Sequence, residues 1–205
     1  MRVHGFVQAG GGSTRFGTDK ALVKLCGETM LARTTKLVGK VCDSVCVVAA
    51  PEKYSLRPDV VLADRYPGEG PLGGIVTAIS ALPTLSPLAE WALILGCDLP
   101  FLTVEFLTFL RDQTDASFAQ VIVPQSSGGP EPLCAVWHAT CLPVMQAAFD
   151  SGVRKVTEAM KTLPMEVLDE RVWKRFDTHN RLFWNMNTPE DFEQARRILE
   201  GARTA

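Results

Sequence analysis

No stretch of this chain approaches the ~20 consecutive apolar residues that a membrane-spanning helix needs, so a membrane protein is not expected. There is no basic excess either. Lysine and arginine number 21 against 23 acidic residues, a formal net charge of -2 and a pI of about 5.9. General nucleic-acid binding needs a basic surface and is disfavoured, although a local positive pocket for phosphates stays open. Only three histidines occur, His4, His138 and His179, at no metal-ligand spacing, and none is assigned a role. The six cysteines never come closer to a paired motif than the C-x3-C of Cys42 and Cys46, and no histidine follows at zinc-finger distance. Cys46 sits inside the apolar run Val45-Cys46-Val47-Val48. The cysteines read as buried free thiols, which fits a reducing cytoplasm better than a disulfide framework. A secretory pattern is also missing, because Gln8 and the glycines behind it break the first apolar stretch.

What is present is an ordinary globular balance, 46% hydrophobic and 21% charged over 205 residues, enough for one well-buried domain. Strand-length apolar runs alternate with helix-length amphipathic segments. That alternation predicts an α/β fold with a mostly parallel central sheet and helices on both faces. Strands are expected at Val3 to Gln8, Val45 to Ala49, Val60 to Ala63, Trp91 to Leu95, Val121 to Val123 and Leu133 to Trp137. Helices are expected over Thr29 to Lys40, Leu72 to Leu82, Thr103 to Gln113, Cys141 to Asp150 and Val153 to Leu163. The last helix carries the strongest start signal: Thr188 as N-cap, Pro189 at the first helical position, and Glu190 and Asp191 in the first turn.

The segment from Gln8 to Lys20 is the most informative. Glycines directly after a strand let the backbone turn sharply and bring N–H groups close to phosphate oxygens. Arg15 and Lys20 add a planar guanidinium fork and a point charge. Gly12 and Gly17 have P-loop spacing, but Thr18-Asp19 follows where that motif needs Lys and Ser or Thr. Gly10-Gly11-Gly12 begins a dinucleotide fingerprint, but Arg15 stands at its third glycine. A dehydrogenase is therefore the least favoured reading. The pattern that fits is A-G-G-x-S-x-R-x-G-x-D-K, matched by Ala9-Gly10-Gly11, Ser13, Arg15, Gly17, Asp19 and Lys20. It resembles the signature loop of nucleotidyltransferases.

Further candidates lie at strand ends. Asp98, in Gly96-Cys97-Asp98-Leu99-Pro100, follows an apolar strand and would face the crevice where α/β sheets bind ligands. A carboxylate there suits Mg2+, which is held by one or two carboxylates plus substrate phosphates. Asp64 could accept hydrogen bonds from a nucleotide or simply close a turn. Gly73 and its glycine neighbours permit close backbone approach ahead of a helix. Asn185 and Asn187 precede the last helix, whose cap needs only Thr188, so either amide is free to contact a metal or an acceptor.

Taken together, these residues resemble the molybdenum cofactor guanylyltransferase family. The resemblance rests on Ala9 through Lys20, Gly70-Pro71-Leu72-Gly73-Gly74, Cys97-Asp98-Leu99-Pro100, Pro132 to Trp137 and Asn185-Met186-Asn187-Thr188-Pro189-Glu190-Asp191, in order along nearly the whole chain. It implies a Rossmann-like nucleotidyltransferase fold forming one domain, with a nucleotide-binding half over about 1–105 and an acceptor-binding half over about 106–205. It implies GMP transfer from GTP to the terminal phosphate of the molybdopterin cofactor, with release of pyrophosphate. Nucleotide contacts are expected at Gln8, Ala9, Gly10, Gly11, Gly12, Ser13, Arg15, Lys20, Asp64, Gly73 and Asp98. Arg15, Lys20 and Asp98 are the catalytic candidates, Asp98 holds Mg2+, and Asn185 and Asn187 contact the acceptor or a second face of the metal. Cofactor-delivering or molybdoenzyme-specific proteins are candidate partners. The chain departs from the family at Gln8, where Leu is usual, at Ala49, where some members carry a nucleotide-contacting Asn, and at Phe16, where Met is common. Base preference stays open between GTP and CTP, and another phosphorylated acceptor is possible. A non-catalytic nucleotide-binding regulator is the alternative from a different class.

Overall fold

The computed structural model describes residues 2–9, 19–50, 54 and 61–201. Its central sheet places β10 (Met165–Leu168), β7 (Val121–Ser126), β9 (Cys134–His138), β6 (Trp91–Gly96), β1 (Val3–Gln8), β4 (Ser44–Ala49) and β5 (Val61–Ala63) side by side in that order. The two-residue β8 (Gly129–Pro130) pairs back onto β7. β1 runs parallel to both neighbours, with Gln8 level with Val48 of β4 and Gly96 of β6. β9 runs antiparallel to both β6 and β7, and β10 runs parallel to β7. The sheet is thus mostly parallel. All residues of β1 and β6 are buried, as strands covered on both faces require.

The chain leaves β1 through α1 (Met30–Val38) to reach β4 and β5, then crosses back through α2 (Pro71–Leu85) to β6 on the other side of β1. Successive connections therefore depart in opposite directions from adjacent strands, which opens a crevice at their carboxyl ends. One face of the sheet packs Met30, Leu31 and Val38 of α1 with Phe106, Leu107 and Leu110 of α3 (Val104–Asp112) and Ala195 of α7 (Pro189–Gly201). The other packs Leu72, Ile75, Ile79 and Leu82 of α2 with Met145 and Phe149 of α4 (Leu142–Asp150). α1 seats closely because Gly5 leaves room: a Cβ there would stand 2.2 Å from Val38 Cγ1.

Threonine side chains cap α1, α3 and α7. Thr29 accepts from the Ala32 N–H at the start of α1, and Thr103 from the Phe106 N–H at the start of α3. At α7, Thr188 Oγ1 accepts from the Asp191 N–H while the Asp191 carboxylate accepts from the Thr188 N–H, a reciprocal capping box.

Several expectations need correction. The helix expected over Val153 to Leu163 shrinks to α5 (Val156–Ala159) and a 3-10 turn to Thr162, because Gly152 at φ 92 and Arg154, bonded to the Phe149 carbonyl, keep the entry irregular. The edge strand β10 and the short helix α6 (Glu170–Trp173) carry no apolar period long enough to be read. The hairpin of β2 (Lys24–Leu25) and β3 (Glu28–Thr29) turns through Cys26 at φ 53 and Gly27 at φ 89. All six cysteines are free, but only five are buried, and Cys26 in that turn is half-buried.

Candidate active site

The carboxyl ends of β1 and β6 bring the widely separated motifs together. Gln8 ends β1, and the Ala9 N–H continues the ladder to the Val48 carbonyl at 3.0 Å. Lys20 opens a 3-10 turn over residues 20–22 that Asp19 caps, its Oδ1 accepting from the Ala21 N–H at 3.0 Å. The second oxygen of Asp19 accepts from the Tyr54 hydroxyl at 2.9 Å. Burial, with the Asp19 carboxylate beside it, pushes the Tyr54 hydroxyl well above its usual range, so it stays a neutral donor. The base of Lys20 is therefore held by two bonds onto one carboxylate.

Lys20 Nζ reaches across the crevice to donate to Asn187 Oδ1 at 2.6 Å, spanning 167 residues of sequence. Asn185, two residues earlier, sets its amide beside the Asp98 carboxylate, and the Met186 N–H donates to the Asp98 carbonyl at 2.9 Å. The segment 185–187 is thus strapped over the end of β6. Asp191 holds its far end by accepting from the Asn187 N–H at 2.8 Å. Burial raises the Asp191 pKa, but the N–H groups of Asn187 and Thr188, the Thr188 side chain and the Lys20 charge outweigh it, and the carboxyl lies below its ordinary range.

Asp98 is half-buried just past β6. Its side chain fits because Gly96 has none: a Cβ at Gly96 would stand 2.9 Å from Asp98 Oδ1. Burial pushes the Asp98 carboxyl up, against the Lys20 charge and the Asn185 amide that pull it down. A carboxylate in this setting is short of positive charge. Its hard oxygens, with the amide of Asn185 beside them, suit Mg2+. Among the described residues no three His, Cys, Asp or Glu side chains gather to hold an ion by themselves. Substrate phosphates would have to complete the shell, as Mg2+ sites commonly require.

On the far side of Asp98 lies a cleft of about 290 Å³, lined among others by Leu99, Glu131, Leu133, Lys155 and Asn185. Ser126 Oγ donates to Glu131 Oε1 at 2.6 Å. Burial and the nearby Asp98 charge raise the Glu131 carboxyl, and the Ser126 bond only partly offsets them. Glu131, Lys155, Tyr54 and Asp19 were not among the expected site residues. Asp19 lay inside the loop pattern, but the other three belong to no motif and reach the site only through folding.

Other expectations fare differently. Asp64 closes a turn: its Oδ1 accepts from the Tyr66 N–H and from Thr77 Oγ1, both at 3.0 Å. Gly73 lies in the first turn of α2 against Tyr66, whose Cβ would be 2.9 Å from a Cβ at Gly73. Neither touches the Lys20, Asn187 and Asp98 cluster among the described contacts. Gly10, Gly11, Gly12, Ser13 and Arg15 lie outside the described residues. Covalent catalysis by the four thiols of Cys42, Cys97, Cys134 and Cys141 is disfavoured, because burial pushes Cys42 and Cys141 up to about 12 and holds Cys97 and Cys134 well above the ordinary thiol range.

Residues 5–164 match the model of the MobA-like NTP transferase domain. The chain is 32% identical to the molybdenum cofactor guanylyltransferase of Desulfosudis oleivorans over 203 residues, covering 98% of each. It is 30% identical to a probable molybdenum cofactor guanylyltransferase of Natranaerobius thermophilus over 202 residues, covering 96% of each. In fold it is similar to molybdopterin-guanine dinucleotide biosynthesis protein A of Archaeoglobus fulgidus, with a TM-score of 0.78, 24% identity, and 97% and 99% of the two chains covered. A manganese complex of Rv0371C from Mycobacterium tuberculosis shares the fold at a TM-score of 0.59 and 16% identity, with 82% of this chain and 88% of that one covered.

Proposed function

The chain belongs to the MobA-like NTP transferase family, and from that premise we propose that it moves GMP from GTP onto the terminal phosphate of the molybdopterin cofactor. The observation that carries the reading is the convergence of Lys20, Asn187, Asp98 and Asn185 at the switch point of the sheet. It puts one cation and one half-buried carboxylate at the same edge of the sheet.

The chemistry needs no protein nucleophile. An anionic oxygen of the acceptor phosphate attacks the α-phosphorus of GTP, a new P–O bond forms, and the bond from that phosphorus to the bridging oxygen of the β-phosphate breaks. Pyrophosphate leaves with that electron pair. The protein positions the two partners and neutralises charge on the leaving side. Lys20 exchanges its bond to Asn187 for the triphosphate. Asp98 holds Mg2+, which when bound supplies positive charge to the phosphates. Asn185 orients the Asp98 carboxylate. Arg15 and the backbone of Gly10 to Ser13 complete the phosphate contacts, and the Gln8 and Ala9 backbone, Asp64 and Gly73 border the nucleoside. The cleft beside Asp98 takes the acceptor, with Lys155 facing its phosphate and Leu99 and Leu133 packing on the flat face of its ring system.

The test is pyrophosphate release with GTP, CTP and ATP, each with and without molybdopterin and Mg2+. Release only with GTP, molybdopterin and Mg2+ together, with a guanine dinucleotide as product by mass, is the expected result. Release with CTP instead would reassign the base. Nucleotide binding with no release under any combination would leave a regulator and overturn the enzyme.

A further inference from the structure

Gln8 carries an unsatisfied polar atom at the edge of this site. Its side chain turns to the α2 face of the sheet, where Nε2 donates to the Pro71 carbonyl at 3.2 Å. That bond decides which end of the amide is which, since the reverse setting would face two oxygens toward each other. The other end, Oε1, is buried and has no hydrogen-bond partner among the described residues. Gln8 as a whole is 8% exposed. Burying a carbonyl without a donor is costly, and the fold makes room for it. A Cβ on Gly74 would stand 2.0 Å from Gln8 Nε2 and 2.5 Å from its amide carbon, so a glycine inside the first turns of α2 leaves the space this side chain fills.

The place of that atom is informative. Gln8 ends the central strand, beside the switch point and against the start of α2, whose first N–H groups have no partner within the helix. Resting on the guanylyl-transfer reading above, we infer that Gln8 Oε1 accepts an N–H from the guanine edge of the bound nucleotide. Gln8 then sets base preference through its side chain, beyond any contact of its backbone. Guanine presents two adjacent donors, N1–H and the 2-amino group. Cytosine and adenine present one amino group beside a ring nitrogen whose lone pair would face the same oxygen, a repulsion that guanine, with N1–H at that position, avoids.

Calorimetric titration of the full chain with GTP, ITP and dGTP in Mg2+, for wild type and Gln8→Leu, tests this. Leucine fills similar space without the unpaired carbonyl, so the variant should melt at or above the wild-type temperature. It should bind GTP about tenfold more weakly, the order expected for one lost hydrogen bond, and dGTP should suffer the same loss. A greater loss for GTP than for ITP assigns the bond to the 2-amino group, and an equal loss assigns it to N1–H. Unchanged GTP affinity in Gln8→Leu overturns the inference. So does a loss for GTP that is absent for dGTP, since the donor would then be the ribose 2'-hydroxyl. A collapse of melting temperature in both Gln8→Leu and Gln8→Met would make the amide structural and overturn it too. Wild-type protein that binds no GTP would defeat the guanylyl reading itself, whatever the variants do.

Discussion

Single side chains here are under tension between burial and charge. Asp98 shows it most plainly: burial raises its carboxyl even with Lys20 and Asn185 nearby. A charge held at that cost is one the fold would shed if it served stability alone. Asp98→Asn should therefore abolish turnover while leaving the melting temperature equal or higher; wild-type turnover in that variant would refute the metal role. His4 gives a second case. It is 2% exposed, with Nδ1 paired to Ser44 Oγ at 2.7 Å and Nε2 without a partner. Burial lowers its pKa below 6.5. The folded state thus binds this proton less readily than the unfolded chain does. His4 contributes fully above the unfolded value, and that contribution is lost as pH falls from about 6.5 through the folded value. Urea unfolding at pH 7.5 and 5.5 should show a loss of stability on acidification that is smaller in His4→Phe, and equal slopes in both proteins would exclude His4 as the source.

Elements place these residues by their ends. α7 is the clearest example, because its cap and the site share atoms. Thr188 and Asp191 satisfy each other's backbone, and Asp191 also takes the Asn187 N–H. Thr188→Ala should cost about 1 kcal/mol, the usual value of an N-cap, or roughly 2–4 °C for a chain of this size. It should also loosen Asn187 and lower kcat/KM several-fold. A thermal shift with unchanged kinetics would separate the cap from the site. This helix start was legible in Thr188-Pro189-Glu190-Asp191, since capping is local chemistry between residues three apart. α5 and β10 were not legible, because neither is long enough to show a period and both are held by neighbours distant in sequence, as when the Gln120 N–H bonds the Pro164 carbonyl.

The whole molecule is a mostly parallel sheet buried from both sides, and that enclosure governs reactivity far from the site. Five of the six free thiols lie inside it, with only Cys26 partly open in the β2–β3 turn. Brief alkylation of the native protein should label Cys26 alone, and denaturation should release all six, as read by intact mass. Labelling of Cys97 or Cys134 in the native state would mean that the sheet opens at the site end. No helix among the described residues is long and apolar enough to cross a membrane.

Alternating strand and helix patterns, the Ala9 to Lys20 loop pattern and the α7 cap were written in local sequence, because propensity, periodicity and capping act over a few residues. Pairing Lys20 with Asn187, strapping Asn185 onto Asp98, tying Tyr54 to Asp19 and bringing Glu131 and Lys155 to the same crevice required the sheet order. Those contacts join residues separated by up to 167 positions, and nothing in either partner's neighbourhood specifies the other. Only the crossover that carries α2 from β5 back to β6 brings them to one edge. The same crossover leaves the Gln8 carbonyl buried without a donor, a feature that no inspection of Val7-Gln8-Ala9 could reveal.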